Sequence, residues 1–270
     1  SFLPANNQED PPRRTTSDPV DRRDAELASI VPESADRPYD MKDVVRRVVD
    51  EVGQYVARLH AGHGVELRLG VGVEGFSGDD RVEAVRLTDG SAVDADVVVV
   101  GIGVIPNVDL ARSAGLAVDT GVLVDPRLTT SNPDVLAAGD IAEHDHPVLG
   151  ARVRVEHWAN ALNQGLTAGA NAAGGSEAYT RLPYFFSDQY DLGLEYVGYS
   201  EPGDTVVVRG NRDEREFIAF WQRDGIVTAA MNVNVWDVVE DLKAIVVSGR
   251  VLDARRLADP AVALAELVSR

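Results

Sequence analysis

Residues 130–140 read Thr130-Ser131-Asn132-Pro133-Asp134-Val135-Leu136-Ala137-Ala138-Gly139-Asp140. Asn-Pro-Asp is turn chemistry, the apolar residues after it suit a short strand, and Gly-Asp closes the block. That order puts one carboxylate, Asp140, at the carboxyl edge of a strand, where open α/β sheets take their ligands. Upstream, Ala95-Asp96-Val97-Val98-Val99-Val100-Gly101-Ile102-Gly103-Val104-Ile105-Pro106-Asn107 repeats the logic. Its β-branched run, Asp96 to Val100, predicts a strand buried on both faces. Gly101 and Gly103 then let a ligand approach the backbone closely.

Outward from these blocks the chain divides by composition. Residues 1–39 are rich in Pro, Asp, Asn and Arg and read as a flexible tail or linker. Residues 40–180 read as an incomplete nucleotide-binding α/β region. A helix is expected from Asp40, its cap, through an apolar stripe that includes Val44, Val48, Val52 and Leu59, to a stop at Gly62 and Gly64. His60 and His63 suit the negative end of that helix. Strands are expected at Val65 to Leu69 and Arg81 to Leu87, with a hairpin turn at Asp89-Gly90. The literal GxGxxG at Gly70 to Gly75 is set aside, because a turn and a strand follow it instead of the helix that holds a pyrophosphate. Glu143, His144, Asp145 and His146 read as a solvated loop, not a metal site.

Residues 181–270 read as an α+β domain with an antiparallel sheet. Strands are expected at Glu195 to Val197, Asp204 to Arg209, Phe217 to Gln222 and Ile226 to Asn234, with a turn at Arg223-Asp224-Gly225. Ile218 and Phe220 share one strand face by alternation, with Met231 available to pack with them. A helix should follow from Val238 to Val247, and a last one should open at Asp259-Pro260. Trp158, Trp221 and Trp236 are each read as packing residues.

Composition narrows the functions. The chain holds 44 acidic and 26 basic residues, a net charge of −18, and lacks the basic footprint of a nucleic-acid binder. It has no cysteine, which excludes disulfide scaffolds, thiolate metal sites and dithiol relays. The longest apolar run, Val97 to Ile105, is too short to span a bilayer, and no signal-peptide pattern opens the chain. A soluble cytoplasmic protein with no membrane partner is expected.

The two opening blocks, together with Arg154-Val155-Glu156-His157-Trp158-Ala159-Asn160-Ala161, Pro183-Tyr184-Phe185-Phe186-Ser187-Asp188-Gln189 and Met231-Asn232-Val233-Asn234-Val235-Trp236, carry a resemblance. From about Glu51 to Arg270 the sequence resembles the FAD-dependent NAD(P)H:ferredoxin and rubredoxin reductases. The resemblance implies that Asp140, after Gly139, accepts hydrogen bonds from the ribityl hydroxyls of FAD. It implies that a helix opening near Glu156 aims its amides at the flavin pyrimidine edge, with His157 and Trp158 beside the ring system. Phe186 stands where other members carry a tryptophan against the flavin, and Gly101 and Gly103 would approach the NAD(P)H nicotinamide. Electrons would pass from NAD(P)H through FAD to a ferredoxin- or rubredoxin-like acceptor.

The sequence departs from that family in carrying neither of its complete glycine fingerprints. Residues 1–50 instead resemble the linker region of carboxyltransferase β-subunits of acyl-CoA carboxylases, through Ser1-Phe2-Leu3-Pro4-Ala5-Asn6-Asn7, Ile30-Val31-Pro32-Glu33-Ser34 and Arg37-Pro38-Tyr39-Asp40-Met41. A fusion seam is read near Asp50-Glu51. A truncated reductase, weakly active or inactive as this chain, is the first expectation. A non-catalytic interaction or dimerisation module that retains the C-terminal domain is the second, and a carboxyltransferase fragment the third.

Overall fold

The computed structural model describes residues 54–201 and 203–269. The expected tail, the helix cap at Asp40 and the seam at Asp50-Glu51 lie outside the described residues. Contacts divide the chain into two units, one holding Arg68–Val99 and the other holding 54–67 with 100–269.

The first unit is a three-stranded antiparallel meander of β1 (Val73–Ser77), β2 (Ala84–Leu87) and β3 (Ala92–Asp94). The Asp89-Gly90 turn joins β2 to β3. Asp89 Oδ1 accepts from the Ser91 amide at 2.9 Å and its hydroxyl at 2.7 Å, while Gly90 takes a left-handed φ of 83°. The Gly70–Gly75 run enters strand β1, with no helix behind it.

The second unit opens with α1 (Gln54–Gly62) and α2 (Asp109–Ser113). A small sheet follows, in which β4 (Val122–Val124) pairs parallel with β5 (Ala142–His146), and β5 pairs antiparallel with β6 (Ala151–Arg154). Helix α3 (Trp158–Ala172) leads to a five-stranded antiparallel sheet. Its strands are β7 (Tyr184–Gln189), β8 (Leu192–Gly198), β9 (Thr205–Asn211), β10 (Glu216–Arg223) and β11 (Ile226–Val233), in the order β7-β8-β11-β10-β9. Helices α4 (Val239–Ser248), α5 (Ala254–Ala258) and α6 (Leu264–Val268) close the chain.

That sheet is covered on both faces. Ile218 and Phe220 pack on one side with Leu242, Ile245, Leu257 and Leu267 from the three C-terminal helices. Phe217, Ala219 and Trp221 pack on the other with Tyr196, Val153 and Leu59 of α1. Met231 stands opposite Ala219 in the ladder and lies on this second face, not with Ile218 and Phe220 as expected. Directly opposed residues of an antiparallel pair share a face, and apolar residues on both faces of β11 hid which one.

Five further expectations differ from the structure. Val65 to Leu69 and Asp96 to Val100 form no strand, and the second run leads into an open stretch, with Val99 91% and Ile105 94% exposed. A strand buried on both faces needs partners for its backbone groups, and none of the described strands pairs with either run. The strand read at Val135 to Ala138 shrinks to a single bridge, Leu136 to Thr129. Asp259-Pro260 is a turn after α5, where Asp259 Oδ1 accepts from the Ala261 amide at 2.9 Å, so the last helix begins later at Leu264. Residues 143, 144 and 146 are buried in strand β5, not in a solvated loop. No helix among the described residues is long and apolar enough to cross a membrane.

Gly198 has a φ of 100°, and a Cβ there would lie 2.4 Å from the Thr228 carbonyl oxygen. Both the left-handed backbone and the contact oppose any larger residue. Gly198→Ala should therefore lower stability by about 2 kcal/mol or more, as a strained backbone and an overpacked site each typically cost 1–3. Urea unfolding of the purified chain measures it, and an unchanged midpoint would contradict the packing described.

Candidate functional site

The residues around Asp140 are fixed by local turn chemistry. Thr130 Oγ1 donates to the Asn132 carbonyl at 3.0 Å and Asn132 Oδ1 accepts from the Asp134 amide at 3.0 Å, folding the Asn-Pro-Asp turn. The chain then runs to Gly139, which is buried at a left-handed φ of 80°. A Cβ on Gly139 would stand 3.4 Å from the Ala161 methyl of α3. The Gly139 amide donates to Gln164 Oε1 at 2.8 Å. Gly139–Ile141 makes one 3-10 turn, and Asp140 leaves it with its side chain exposed.

Arg154 at the end of β6 gathers the next parts. Its Nη1 donates to the Asp140 carbonyl at 3.2 Å and to Glu156 Oε1 at 2.6 Å. The Arg154 and Glu156 side chains are only 9% and 19% exposed, so this ion pair is largely shielded from water. Gly121 admits it: a Cβ there would meet the Ile141 oxygen at 2.5 Å and Arg154 Cδ at 2.9 Å.

Helix α3 starts at Trp158, two residues after Glu156. His157 is its extended N-cap residue and makes no side-chain capping bond. The amides of the first turn have no intrahelical acceptor, and the positive end of the dipole lies here. Asn160 and Gln164, four residues apart, are the buried polar residues of α3. Asn160 Nδ2 donates to the Val155 carbonyl at 3.1 Å, and its Oδ1 accepts from the Tyr179 hydroxyl at 3.2 Å. The His157 ring stacks on Phe185 with centroids 4.7 Å apart and planes 3° apart. Burial holds the His157 pKa below its ordinary value, while the Asp140 and Glu156 charges pull it back up.

The structure thus brings together Gly139, Asp140, Glu156, His157 and the start of α3 at Trp158, which is 74% exposed. Phe185 is the ring that meets His157. Alternation along β7 turns Phe186 to the opposite face, where it is 58% exposed. Gly101 and Gly103 lie in the open stretch before α2, with nothing within 4 Å of a Cβ built on Gly101. No hydrogen bond among the described residues ties either glycine to the Asp140 group. Arg154 and Phe185 stand in the quoted motifs without a role, and nothing in the sequence singles out Gln164. The Arg-x-Glu spacing, which sets two side chains on one side of an extended segment, was the available signal for the first. His60 lies in the last turn of α1 and His63 Nδ1 lies 2.9 Å from the Leu59 carbonyl at that helix end, as the dipole reading expects; His60 Nε2 also lies 2.6 Å from Gln189 Oε1, and His63 stacks on Tyr190 at 3.6 Å. Of the three tryptophans only Trp221 is buried; Trp236 is exposed across Gly193.

The pyridine nucleotide-disulphide oxidoreductase family matches residues 37–165, and the reductase C-terminal family matches residues 184–268. Residues 37–165 are thus similar to the pyridine nucleotide-disulphide oxidoreductases, and residues 184–268 to the C-terminal domains of reductases. Among its relatives it is 40% identical, over 81% of its length, to the ferredoxin–NAD(+) reductase component of the anthranilate 1,2-dioxygenase system of Burkholderia cepacia, of which it covers 54%. It is 34% identical to putidaredoxin reductase of Pseudomonas putida, over 84% of this chain and 56% of that one. The ferredoxin reductase for the CYP199A2 system of Rhodopseudomonas palustris superposes with a TM-score of 0.76 at 34% identity, covering 81% of this chain and 55% of that chain. A covalent putidaredoxin reductase–putidaredoxin complex gives 0.75 at 35%, covering 80% and 53%. The chain spans about half the length of the curated relatives it matches. The oxidoreductase match begins upstream of the seam read at Asp50-Glu51.

Behind this site lies a pair of buried imidazoles. His144 is 1% exposed, and burial together with the neighbouring His146 pushes its pKa down to about 4. The unfolded chain therefore binds a proton that the folded chain refuses between pH 6.5 and 4, and stability falls as pH falls through that window. At about 1.4 kcal/mol per unit the loss from His144 approaches ~3 kcal/mol. His144→Phe, which keeps the ring contact with Tyr179, should flatten the slope; unfolding midpoints between pH 7 and 4.5 decide it.

Proposed function

We propose that this chain serves an FAD-dependent oxidoreductase that passes electrons from NAD(P)H through flavin to a ferredoxin- or rubredoxin-like acceptor. The observation that carries the reading is one exposed carboxylate, Asp140, held on a rigid turn beside the uncapped start of α3. Gln164 and Arg154 fix the backbone on both sides of it. The names of the relatives, which include a ferredoxin–NAD(+) reductase component and putidaredoxin reductase, point the same way.

The donor set suits a flavin. Asp140 would accept from ribityl hydroxyls, which are neutral donors, so the carboxylate needs no neutralising cation. The free amides of α3 would face the pyrimidine edge, where electron density accumulates. FAD, when bound, supplies the conversion of a two-electron donor into single electrons. His157 is kept in place by Phe185, and burial favours its neutral form, leaving a ring nitrogen that can donate or accept. Gly101 and Gly103 would admit the nicotinamide. The acidic composition and the lack of cysteine fit a cytoplasmic setting.

Titration of FAD into the purified chain, followed by flavin fluorescence, tests this reading. Asp140→Ala should weaken binding about tenfold, since hydrogen bonds to a charged group are each worth roughly 1.5–3 kcal/mol. The unfolding midpoint should not move, because the Asp140 side chain is exposed. Equal affinity in the variant would remove Asp140 from the site. Because no glycine fingerprint opens a helix in this sequence, dye reduction by NAD(P)H is expected to be weak for this chain alone. Turnover at a rate typical of whole reductases would overturn that expectation.

A further inference from the structure

The five-stranded sheet carries a concave feature, well removed from the His157–Phe185 contact. That contact lies on β7, whereas this feature lies on β9 and β10 at the far end of the strand order. By ordinary sheet spacing β7 and β10 stand about 14 Å apart. Between α1 and the β9–β10 hairpin lies a cavity of about 340 Å³. Val206, Val208, Phe217 and Trp221 make an apolar floor, and Leu59 closes one side. The rim is different in kind: Arg58, Arg212 and Arg215 stand there with a single carboxylate, Asp213. Three guanidiniums against Asp213 and the Asp191 that pairs with Arg215 leave a small positive excess at this mouth, in a chain of net charge −18.

The hairpin is built to present this rim. Asn211 Oδ1 accepts from the Asp213 amide at 2.9 Å and the Glu214 amide at 3.4 Å, which folds the turn tightly. Arg215 then takes a left-handed φ of 61°, a conformation uncommon for residues other than glycine, asparagine and aspartate. Its Nη1 donates to both oxygens of Asp191, at 2.6 and 2.7 Å, which orients the guanidinium. The volume falls within the range of pockets for small organic ligands, about 300–1,000 Å³. Guanidinium groups match the planar fork of a carboxylate, and flat rings pack well on Trp and Phe.

We propose that this cavity binds a small amphipathic anion of the aromatic carboxylate class. The ring lies on the Trp221 and Phe217 floor and the carboxylate meets Arg58 and Arg215. The site does not depend on flavin binding, so it stands or falls apart from the proposed function.

Isothermal titration of the full chain with 3-phenylpropionate tests it, with 3-phenylpropionamide and inorganic phosphate as parallel arms. The carboxylate should bind saturably and the neutral amide at least about tenfold more weakly, as loss of a charge-assisted bond implies. Phosphate, which cannot use the apolar floor, should bind more weakly still. Arg58→Gln and Arg215→Gly should each weaken binding of the carboxylate by about tenfold. The glycine variant is the informative one, because glycine accepts the left-handed backbone and the fold should hold, as its unfolding midpoint would report. Equal affinity for the amide, equal or tighter binding of phosphate, undiminished binding by Arg215→Gly, or no saturable binding of the carboxylate at millimolar concentration would each overturn the proposal.

Discussion

A strand buried on both faces has to satisfy two demands at once: hydrogen-bonding neighbours on its edges and apolar cover above and below. Strands β10 and β11 meet both. Each has ladder partners on both sides, and the C-terminal helices cover one face while α1 and residues from the small sheet cover the other. The apolar run from Val97 to Ile105 has the composition for the same role but no such partners among the described strands. Most of it lies open to solvent. One constraint therefore accounts for the firmest part of the fold and for the segment that departs most from expectation.

The site around Asp140 depends on that core through Arg154. Strand β6 delivers Val153 and Val155 to the sheet's cover, and alternation turns Arg154 the other way, toward the Asp140 turn. A guanidinium so shielded is held by a carboxylate and a carbonyl, and removing a partner from such a pair costs about 3–5 kcal/mol. The same bonds fix the entry to α3. Gln164, one turn beyond Asn160 on the buried side of the helix, completes the arrangement by taking the Gly139 amide.

A line of rings joins the arginine-rimmed cavity to His157. Trp221, in the floor of the arginine-rimmed cavity, meets Tyr196 edge-on at 5.5 Å. Tyr196 stacks with Phe185 at 4.9 Å, and Phe185 stacks on His157. Tyr196 is nearly fully buried and burial pushes its hydroxyl pKa up to about 12, so the ring stays neutral across the physiological range. Its hydroxyl accepts from the Ser200 amide at 3.0 Å, which anchors the middle of the line. These contacts make the sheet's second face a continuous packed surface from β9 to α3.

Local chemistry alone determined much of this. The Asp89-Gly90 and Arg223-Asp224-Gly225 turns, the strands that flank the second, the helix ending at Gly249, and the position of Asp140 after a turn and a glycine all follow from residues a few places apart. Each depends on backbone freedom or side-chain reach within a short segment, which is what a sequence encodes directly. Tertiary structure decided the rest. Whether Val97 to Val100 pairs as a strand depends on neighbours that no local pattern supplies. The face taken by Met231 follows from ladder register, and so does the placing of Phe185 beside His157. Arg154, Gln164 and the three arginines of the β9–β10 cavity acquire their roles only where elements distant in sequence meet, because burial, which makes a hydrogen bond obligatory, is a property of the packed chain.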